Sequence, residues 1–309
     1  MTTMKSCSVD LDGPVHYADF GGTGRPILLI HGLGGSHLNW AAVGPRLAAH
    51  GHVMAMDLAG HGHTRAPRGA SRVGQNRRLI DRFLERLAPE PAILVGNSMG
   101  GYLSIAEAAA SPERIAALVL VDPALPLARG VKIDRTVLAL FTACALPGIG
   151  GAVMRLRFRR TPEQMVHDMF ELCCSDPALV PRDVYQAHVD LARARLAYGR
   201  VTGREFLAAQ RSLMSCLFRR RRFREMVASV RAPALVVQGD RDRLVNVAAA
   251  RALAAARPDW RLEVIEGVGH VPQLEVPERF LAVVEPWIDA LPGSPRPPAE
   301  AQQRLPVTA

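Results

Sequence analysis

Ser98 has the clearest chemical potential in the sequence, because it lies at the centre of Gly96-Asn97-Ser98-Met99-Gly100. An apolar run at residues 92–95 precedes this motif, and a helix-like segment at residues 102–110 follows it. A strand, a tight turn and a helix in this order form a nucleophile elbow, whose glycines leave room for a strained turn. The free N–H groups at the helix start favour a developing negative charge. The motif therefore predicts a nucleophilic serine.

Two further residues supply the acid–base groups that a serine nucleophile needs for acyl transfer. His270 is the best base among the ten histidines, because it follows a predicted strand and begins a loop. Asp242 is the best group to orient that histidine, since it too lies just past a predicted strand. Asp122 is the open alternative, although its position before Pro123 suits a loop role better. The chain order serine, aspartate, histidine is expected of a triad built on an α/β sheet.

The elements that would position these residues alternate between apolar runs and amphipathic segments. Runs typical of strands buried on both faces occur at residues 27–30, 53–56, 92–95, 116–121, 235–237 and 262–265. Helical patterns occur at residues 40–49, 73–87, 102–110, 247–255 and 280–291, and a weak hairpin pattern occurs at residues 7–10 and 15–19. The alternation predicts an α/β fold, with a mostly parallel sheet flanked by helices. The site then lies beyond the carboxyl ends of the strands, where Ser98, Asp242 and His270 fall.

A long segment at residues 125–231 interrupts this alternation between two core strands. Its helices are predicted at residues 136–146, 162–174, 181–198 and 204–217. Because the segment joins consecutive strands, we expect it to cover their carboxyl ends as a helical cap. The predicted organisation is a first core part at 1–124, the cap at 125–231, a second core part at 232–291 and a disordered tail at 292–309.

Five stretches together resemble the α/β-hydrolase superfamily with a helical cap, and the match covers about residues 14–290. They are His31-Gly32-Leu33-Gly34-Gly35, Asp57-Leu58-Ala59-Gly60-His61-Gly62, Gly96-Asn97-Ser98-Met99-Gly100-Gly101, Gly239-Asp240-Arg241-Asp242-Arg243-Leu244-Val245 and Gly267-Val268-Gly269-His270-Val271-Pro272. Each stretch is weak alone, but the set is very specific. The cap matches only in position and helical character. The resemblance implies the α/β-hydrolase fold and a serine esterase or carbon–carbon hydrolase activity.

The resemblance also implies residue roles. Ser98, Asp242 and His270 would form the catalytic triad, and the backbone N–H groups of Leu33 and Met99 would form the oxyanion hole. Losing one such donor typically removes about 2.7–4 kcal/mol of transition-state stabilisation. Substrate contacts are expected at three further positions, Gly32, Gly34 and Val271. Neither a metal nor a cofactor is expected.

Other polar residues at strand ends are given structural roles. His31 is predicted to pack under the oxyanion loop. Asp57 and Asp240 are predicted to stabilise turns by accepting hydrogen bonds from nearby N–H groups. His61 and His63 are predicted loop residues.

The motifs also narrow the chemistry. Ser98 stands where haloalkane dehalogenases and epoxide hydrolases of this fold carry Asp, which disfavours an alkyl-enzyme. Met99-Gly100-Gly101 is similar to carbon–carbon bond hydrolases of ring-fission products, but Val271 replaces their Trp and Leu33-Gly34-Gly35 replaces their Ser-Gly-Pro. The expected substrate is therefore a hydrophobic carboxylic ester or thioester, cleaved through an acyl-enzyme. Two alternatives stay open, a carbon–carbon hydrolase of diketones and a non-catalytic ligand-binding protein of this fold.

Charge and hydropathy distinguish the cap from the core. Residues 125–231 hold 19 of the 38 Lys and Arg but only 9 of the 29 Asp and Glu, so this segment has a surplus of +10 and the rest of the chain has −1, for a net charge of +9. Residues 136–154 carry no charge, and Arg155, Arg157, Arg159 and Arg160 follow directly. The uncharged run is interpreted first as a helix lining the site and second as a lid that touches lipid. The candidate partners are thus a small hydrophobic acyl substrate and an anionic membrane surface, whereas no motif indicates nucleic acid.

The cysteines and the N-terminus bear on location. The five cysteines are scattered, and no pair shows metal-ligand spacing, which favours reduced thiols in a cytoplasmic protein. Residues 1–9 lack the apolar region of a secretory signal. The expected location is the cytoplasm, with peripheral membrane contact if the basic cap binds lipid.

Overall fold

The computed structural model describes residues 4–66, 69–128, 130 and 134–292. Its centre is one sheet of eight strands: β1 (Lys5–Asp10), β2 (Pro14–Gly21), β3 (Pro26–Ile30), β4 (His52–Met56), β5 (Ala92–Asn97), β6 (Ile115–Val121), β7 (Ala234–Gly239) and β8 (Arg261–Ile265). Their order across the sheet is β1-β2-β4-β3-β5-β6-β7-β8. β2 pairs antiparallel with β1 and β4, and the other neighbours pair parallel. The predicted mostly parallel sheet is confirmed.

Helices cover both faces of this sheet. In chain order they are α1 (Gly44–Leu47), α2 (Val73–Leu87), α3 (Met99–Ala110), α4 (Arg135–Ala145), α5 (Ile149–Arg157), α6 (Pro162–Cys173), α7 (Arg182–Leu196), α8 (Gly199–Phe218), α9 (Arg220–Ser229), α10 (Val247–Ala256), α11 (Pro272–Glu275) and α12 (Pro277–Asp289). Short 3-10 helices lie at His37–Trp40, Pro112–Arg114 and Pro177–Leu179.

Neighbouring residues of the central strands pack into two separate cores. Leu28 and Ile30 belong to a cluster that includes residues of α2, α3 and α10. Ile27 and Leu29 belong to a second cluster with Trp40 and residues of α12. All residues of β3 are buried, so the continuous apolar run follows from burial on both faces. Burying one such side chain contributes about 1.5–3 kcal/mol, which fixes the strand ends that carry the site.

One predicted helix is wrong in extent. Residues 40–49 were expected to form a single helix, whereas the structure has a 3-10 helix at His37–Trp40 and the four-residue α1. Ser36 caps the first of these through the N–H of Leu38. Pro45 lies in the first turn of α1, where its missing N–H is harmless, whereas inside a longer helix it would remove a backbone hydrogen bond.

The helical insertion, α4 to α9, lies in the chain between β6 and β7 and contacts loops that follow three other strands. A Cβ atom added to Gly34, after β3, would lie 3.1 Å from the Phe206 ring. The N–H of Gly69, after β4, donates to Glu205 at 3.2 Å. The N–H of His270, after β8, donates to the Cys173 carbonyl at 2.6 Å.

Two helices of this insertion, α5 and α9, were not predicted. The uncharged run at residues 136–154 folds as α4 and most of α5, with a bend of 113° between them. Gly148, with φ +79°, lies at the break and provides the positive φ that other residues rarely adopt. No single helix among the described residues is long and apolar enough to cross a membrane, and only the bent α4–α5 pair reaches that length and composition. The tail predicted at 292–309 lies outside the described residues beyond Pro292.

Candidate active site

Ser98 occupies a strained turn between β5 and α3. Its backbone has φ 55° and ψ −116°, a conformation that a residue with a Cβ atom rarely adopts. Ser98 is half-buried, whereas every other residue from 92 to 105 is buried. The elbow therefore exposes one side chain out of an otherwise closed segment, and that side chain is the predicted nucleophile.

Glycines make this turn sterically feasible. A Cβ atom on Gly96 would lie 2.5 Å from the Gly100 backbone, and one on Gly100 would lie 2.1 Å from the Ile30 carbonyl oxygen. A Cβ atom on Gly32, a predicted substrate-binding position, would lie 2.9 Å from the Cβ of Ser98. The space around Ser98 thus depends on three glycines from two loops.

His270 and Asp242 are joined by a hydrogen bond. The His270 Nδ1 to Asp242 Oδ2 distance is 2.7 Å, and both residues are buried. Asp242 Oδ1 accepts the N–H groups of Leu244 at 2.7 Å and Val245 at 3.0 Å. With Nδ1–H donated to the carboxylate, Nε2 is the nitrogen left to accept a proton. The pair has the geometry of a base and its orienting acid.

Asn97 connects the elbow to the histidine loop. Its side-chain nitrogen donates to the carbonyl oxygen of His270 at 3.0 Å and to that of Val121 at 3.1 Å. The residue before the nucleophile therefore fixes the backbone of the base. The sequence motif leaves this position undefined, so pattern reasoning assigned it no role.

Asp122, the alternative acid, is turned to different partners. Its Oδ1 accepts the Gln238 side-chain N–H at 2.6 Å and the Gly239 N–H at 2.9 Å. Burial, together with the charge of Asp242, raises the pKa of Asp122 well above its usual range. A neutral carboxyl is a poor partner for a histidine that becomes positively charged during catalysis. Gln238 also donates to Asp242 Oδ2 at 3.2 Å, so it links the two acids.

One predicted oxyanion donor belongs to the residue after Ser98, and the other lies in the loop after β3, whose Gly32 comes close to the Ser98 Cβ. Met99 is the first residue of α3, so its N–H has no acceptor inside the helix. Leu33 lies in the turn closed by the hydrogen bond from Gly35 N–H to the Gly32 carbonyl at 3.1 Å. Gly34 has φ +78° in that turn, a conformation suited to glycine. Within the described chain, the Leu33 N–H has no hydrogen-bond acceptor.

His31 supports this turn from below, as predicted. Its Nδ1 donates to the Gly32 carbonyl at 2.7 Å, and its Nε2 accepts the Leu58 N–H at 3.0 Å. Burial lowers the pKa of His31 to about 4, so the ring stays neutral and keeps both hydrogen bonds.

Val271 and Glu275 join the histidine loop to the insertion. Val271 is buried in an apolar cluster with Val166 and Phe170 of α6. The buried Glu275 carboxylate accepts the N–H groups of Ser175 and Asp176 at 2.9 Å each, and that of Gly269 at 2.8 Å. Sequence reasoning missed Glu275 and Gln238, because nothing local distinguishes a buried, hydrogen-bonded Glu or Gln from an exposed one.

Donor atoms of Asp122, Asp242 and His270 lie within 4.8 Å of one another, a spacing that could suit a metal ion. The direct hydrogen bond between Asp242 and His270 already uses one donor atom of each. The arrangement therefore suits proton transfer better than metal binding.

Comparisons with known proteins identify the fold family. The sequence profile of the alpha/beta hydrolase fold family matches residues 25–277. Lipase 1 of Psychrobacter immobilis is 27% identical over 281 residues, covering 88% of this chain and 80% of that protein. A monoacylglycerol lipase of Mus musculus is 29% identical over 271 residues, covering 84% and 76%. The solved structure of a thermophilic esterase from Thermogutta terrifontis is 22% identical with a TM-score of 0.68, covering 93% and 99%.

Proposed function

The chain belongs to the alpha/beta hydrolase fold family, and we propose that it is a serine hydrolase that cleaves a hydrophobic carboxylic ester through an acyl-enzyme. The observation that carries this proposal is the strained, half-buried Ser98, whose neighbour Asn97 donates to the His270 carbonyl, together with a His270–Asp242 pair bonded at 2.7 Å. The lipase relatives support ester hydrolysis as the general reaction.

In the proposed first half-reaction, the Ser98 hydroxyl oxygen attacks the ester carbonyl while its proton passes to His270 Nε2. Asp242 holds the ring and stabilises the imidazolium. The N–H groups of Leu33 and Met99 donate to the oxyanion, and each donor contributes about 2.7–4 kcal/mol. The imidazolium then protonates the leaving alcohol, and an acyl group stays on Ser98.

In the second half-reaction, water attacks the acyl group and gives a proton to His270. The tetrahedral intermediate uses the same two N–H donors, and its collapse returns the proton to the Ser98 oxygen. The products are a carboxylic acid and free enzyme. A thioester would follow the same course with a thiol as leaving group.

The apolar character of the substrate is inferred from the residues around the oxyanion turn. Phe206 of α8 approaches Gly34, and the partly buried Leu33 packs against the main apolar core. Val271, directly after the base, is buried among apolar side chains of the insertion. We therefore propose that the insertion acts as a cap that supplies an apolar acyl site, with Gly32, Gly34 and Val271 at its inner edge.

A fluorophosphonate probe tests the proposed nucleophile. We expect wild-type protein to be labelled, Ser98→Ala to lose labelling, and Ser229→Ala, an exposed serine of α9, to keep it. Absence of labelling in folded wild-type protein would contradict an enzyme and favour a ligand-binding protein. Turnover of p-nitrophenyl esters of increasing chain length is expected to exceed turnover of a ring-fission dienoate. The reverse order would replace the ester reaction by carbon–carbon cleavage.

We propose in addition that the bent α4–α5 pair contacts an anionic membrane surface, which would be the source of the apolar substrate. Leu138, Ile149 and Leu156 are 49%, 49% and 61% exposed, so the pair presents large apolar side chains to water. Exposed apolar patches of this kind can mark a membrane interaction site. Arg155 and Arg159, beside Leu156, are exposed as well. The apolar side chains can insert at the boundary between lipid headgroups and acyl chains, and the arginines can bind the anionic headgroups.

Vesicle co-sedimentation tests this contact. Vesicles of phosphatidylcholine with phosphatidylglycerol are expected to bind the chain, and pure phosphatidylcholine much less. Ile149→Asp with Leu156→Asp should abolish binding, whereas Leu179→Asp, which changes an equally exposed leucine outside the pair, should not. Equal binding by both variants would refute the α4–α5 contact without affecting the ester reaction.

A further inference from the structure

A second cluster of titratable side chains surrounds Asp57, directly after β4. Asp57 is fully buried, and its two oxygens accept four hydrogen bonds from three histidines. His16 comes from β2, His37 from the 3-10 helix at His37–Trp40, and His63 from the loop after β4. Asp57 was predicted to stabilise a turn, and the N–H groups of His37 and His63 fulfil that role at 2.7 and 2.8 Å.

Two of these rings are held by their Nδ1 atoms. His16 Nδ1 lies 2.7 Å from Asp57 Oδ2, and His37 Nδ1 lies 3.0 Å from both Asp57 oxygens. A carboxylate that accepts Nδ1–H from a histidine leaves Nε2 as the coordinating nitrogen, as in many metal sites.

The three rings are spaced as in a three-histidine metal site. Their centroids are 4.7 Å apart for His16 and His37, 4.8 Å for His16 and His63, and 5.6 Å for His37 and His63. A tetrahedral ion with Zn–N distances of about 2.1 Å places the centroids of two ligand rings about 5 Å apart. One ring nitrogen of each residue lies within 4.8 Å of those of the other two. His63 is exposed, so an ion can reach this residue from the solvent.

We propose that His16, His37 and His63 bind one divalent transition-metal ion, with Asp57 orienting two of the three ligands. Three neutral imidazoles select borderline ions such as Zn²⁺, Co²⁺, Ni²⁺ or Cu²⁺ over Mg²⁺ or Ca²⁺. The negative charge of Asp57 offsets part of the charge of the ion.

One contact would be lost when the ion binds, and one nearby positive charge opposes its binding. His16 Nε2 now lies 2.9 Å from the Ser6 hydroxyl, which the ion would displace. Arg195 reaches the Gly60 carbonyl at 2.8 Å and adds a positive charge near Asp57, which disfavours a cation. The Ser6 contact gives a variant with a defined expectation, because Ser6→Ala removes a competitor and no ligand.

Titration of the untagged chain with Co²⁺ tests the site, because four-coordinate Co²⁺ absorbs visible light strongly. We expect one equivalent to bind, to be displaced by Zn²⁺, and to bind as well or better in Ser6→Ala. His63→Ala, which changes an exposed residue and should fold, is expected to weaken binding by 100-fold or more, beyond the 10–100-fold typical of supporting groups. His167→Ala, an exposed histidine of α6, is the matched control.

Two outcomes would overturn the proposal. One is absence of the Co²⁺ spectrum in folded wild-type protein, which would leave the cluster as a hydrogen-bonded network only. The other is equal binding by wild type, His63→Ala and His167→Ala, which would place the ion elsewhere. Ser98→Ala should bind Co²⁺ normally, so loss of the proposed hydrolase activity and loss of the metal site are distinguishable.

Discussion

Two aspartates in this molecule hold histidine rings through hydrogen bonds of the same length, in different settings. Asp242 holds one ring, that of His270, at 2.7 Å, and Asp57 holds two rings, with His16 also at 2.7 Å. The Asp242 pair is tied through Asn97 to the strained elbow of Ser98, whereas the Asp57 cluster is closed by backbone N–H groups. An Asp–His hydrogen bond alone therefore does not identify a catalytic base. The neighbouring nucleophile decides its role.

The largest expected difference between the two aspartates is in catalysis. Asp242→Asn should lower kcat/KM for a p-nitrophenyl ester by about 10⁴-fold, because the amide favours the wrong tautomer of His270. Asp57→Asn, assayed where circular dichroism shows it folded, should change kcat/KM by less than about tenfold. A larger loss in Asp122→Asn than in Asp242→Asn would reassign the acid, and a larger loss in Asp57→Asn would break the comparison.

The opposite order is expected for stability. Both oxygens of Asp57 accept N–H groups, so an Asn amide nitrogen must face donors whichever way it is turned. We expect Asp57→Asn to lower the free energy of unfolding by about 3–5 kcal/mol, as for other broken buried charge networks. Asp242→Asn can keep the N–H groups of Leu244 and Val245 on its remaining oxygen and should lose less. Urea unfolding at pH 7 measures both, and equal losses would contradict the difference.

Histidines without a carboxylate partner should make the fold acid-sensitive. Burial lowers the pKa of His31 and of His188 to about 4. The unfolded chain binds these protons near pH 6.5 and the folded chain does not, so stability present at pH 7 is lost as pH falls toward 4. One histidine shifted this far accounts for about 3 kcal/mol. His188→Leu should flatten the profile of unfolding free energy against pH, and an unchanged slope would contradict a neutral His188.

The smallest expected effect is that of Asp122→Asn on activity. Asp122 accepts through Oδ1 from Gln238 and Gly239, which an amide oxygen can replace, so kcat/KM should stay within about threefold of wild type. The pH dependence of the free energy of unfolding distinguishes wild type from Asp122→Asn. The pKa of Asp122 is raised in the folded state, so the stability of the wild type decreases as pH rises above the usual carboxyl range. The variant has no carboxyl at this position and should not show this decrease. Parallel profiles for the two proteins would mean that Asp122 is ionised in the folded state.

Much of the core followed from pattern alone. The helix predicted at residues 73–87 is α2 with the same bounds, since its apolar positions recur at helical spacing and nothing breaks it. The inner strands, such as β3 and β6, are recognisable because burial on both faces makes them continuously apolar. The helix predicted at residues 40–49 was wrong because Gly44 and Pro45 start a separate short helix, although the apolar residues of this segment have helical spacing.

The parts that could not be predicted depend on residues distant in sequence. Asp57 accepts hydrogen bonds from positions 16, 37 and 63, and no spacing rule connects residues from three different elements. Glu275 likewise binds the backbone of residues 175 and 176, one hundred positions away. Ser98, Asp242 and His270 could be proposed as a triad because each lies at a strand end within a short motif. The domain limits of the predicted cap and the identity of its substrate stay predictions.

The central claim is that Ser98 carries the acyl group during turnover. Its most direct test is mass spectrometry of protein quenched with acid during hydrolysis of a p-nitrophenyl ester. We predict a mass increase of one acyl group, mapped to the peptide that contains Ser98. This acylated species should be absent in Ser98→Ala and should be more abundant with an ester whose deacylation is slow. Turnover with the acyl group on another residue, or undiminished turnover by Ser98→Ala, would contradict it.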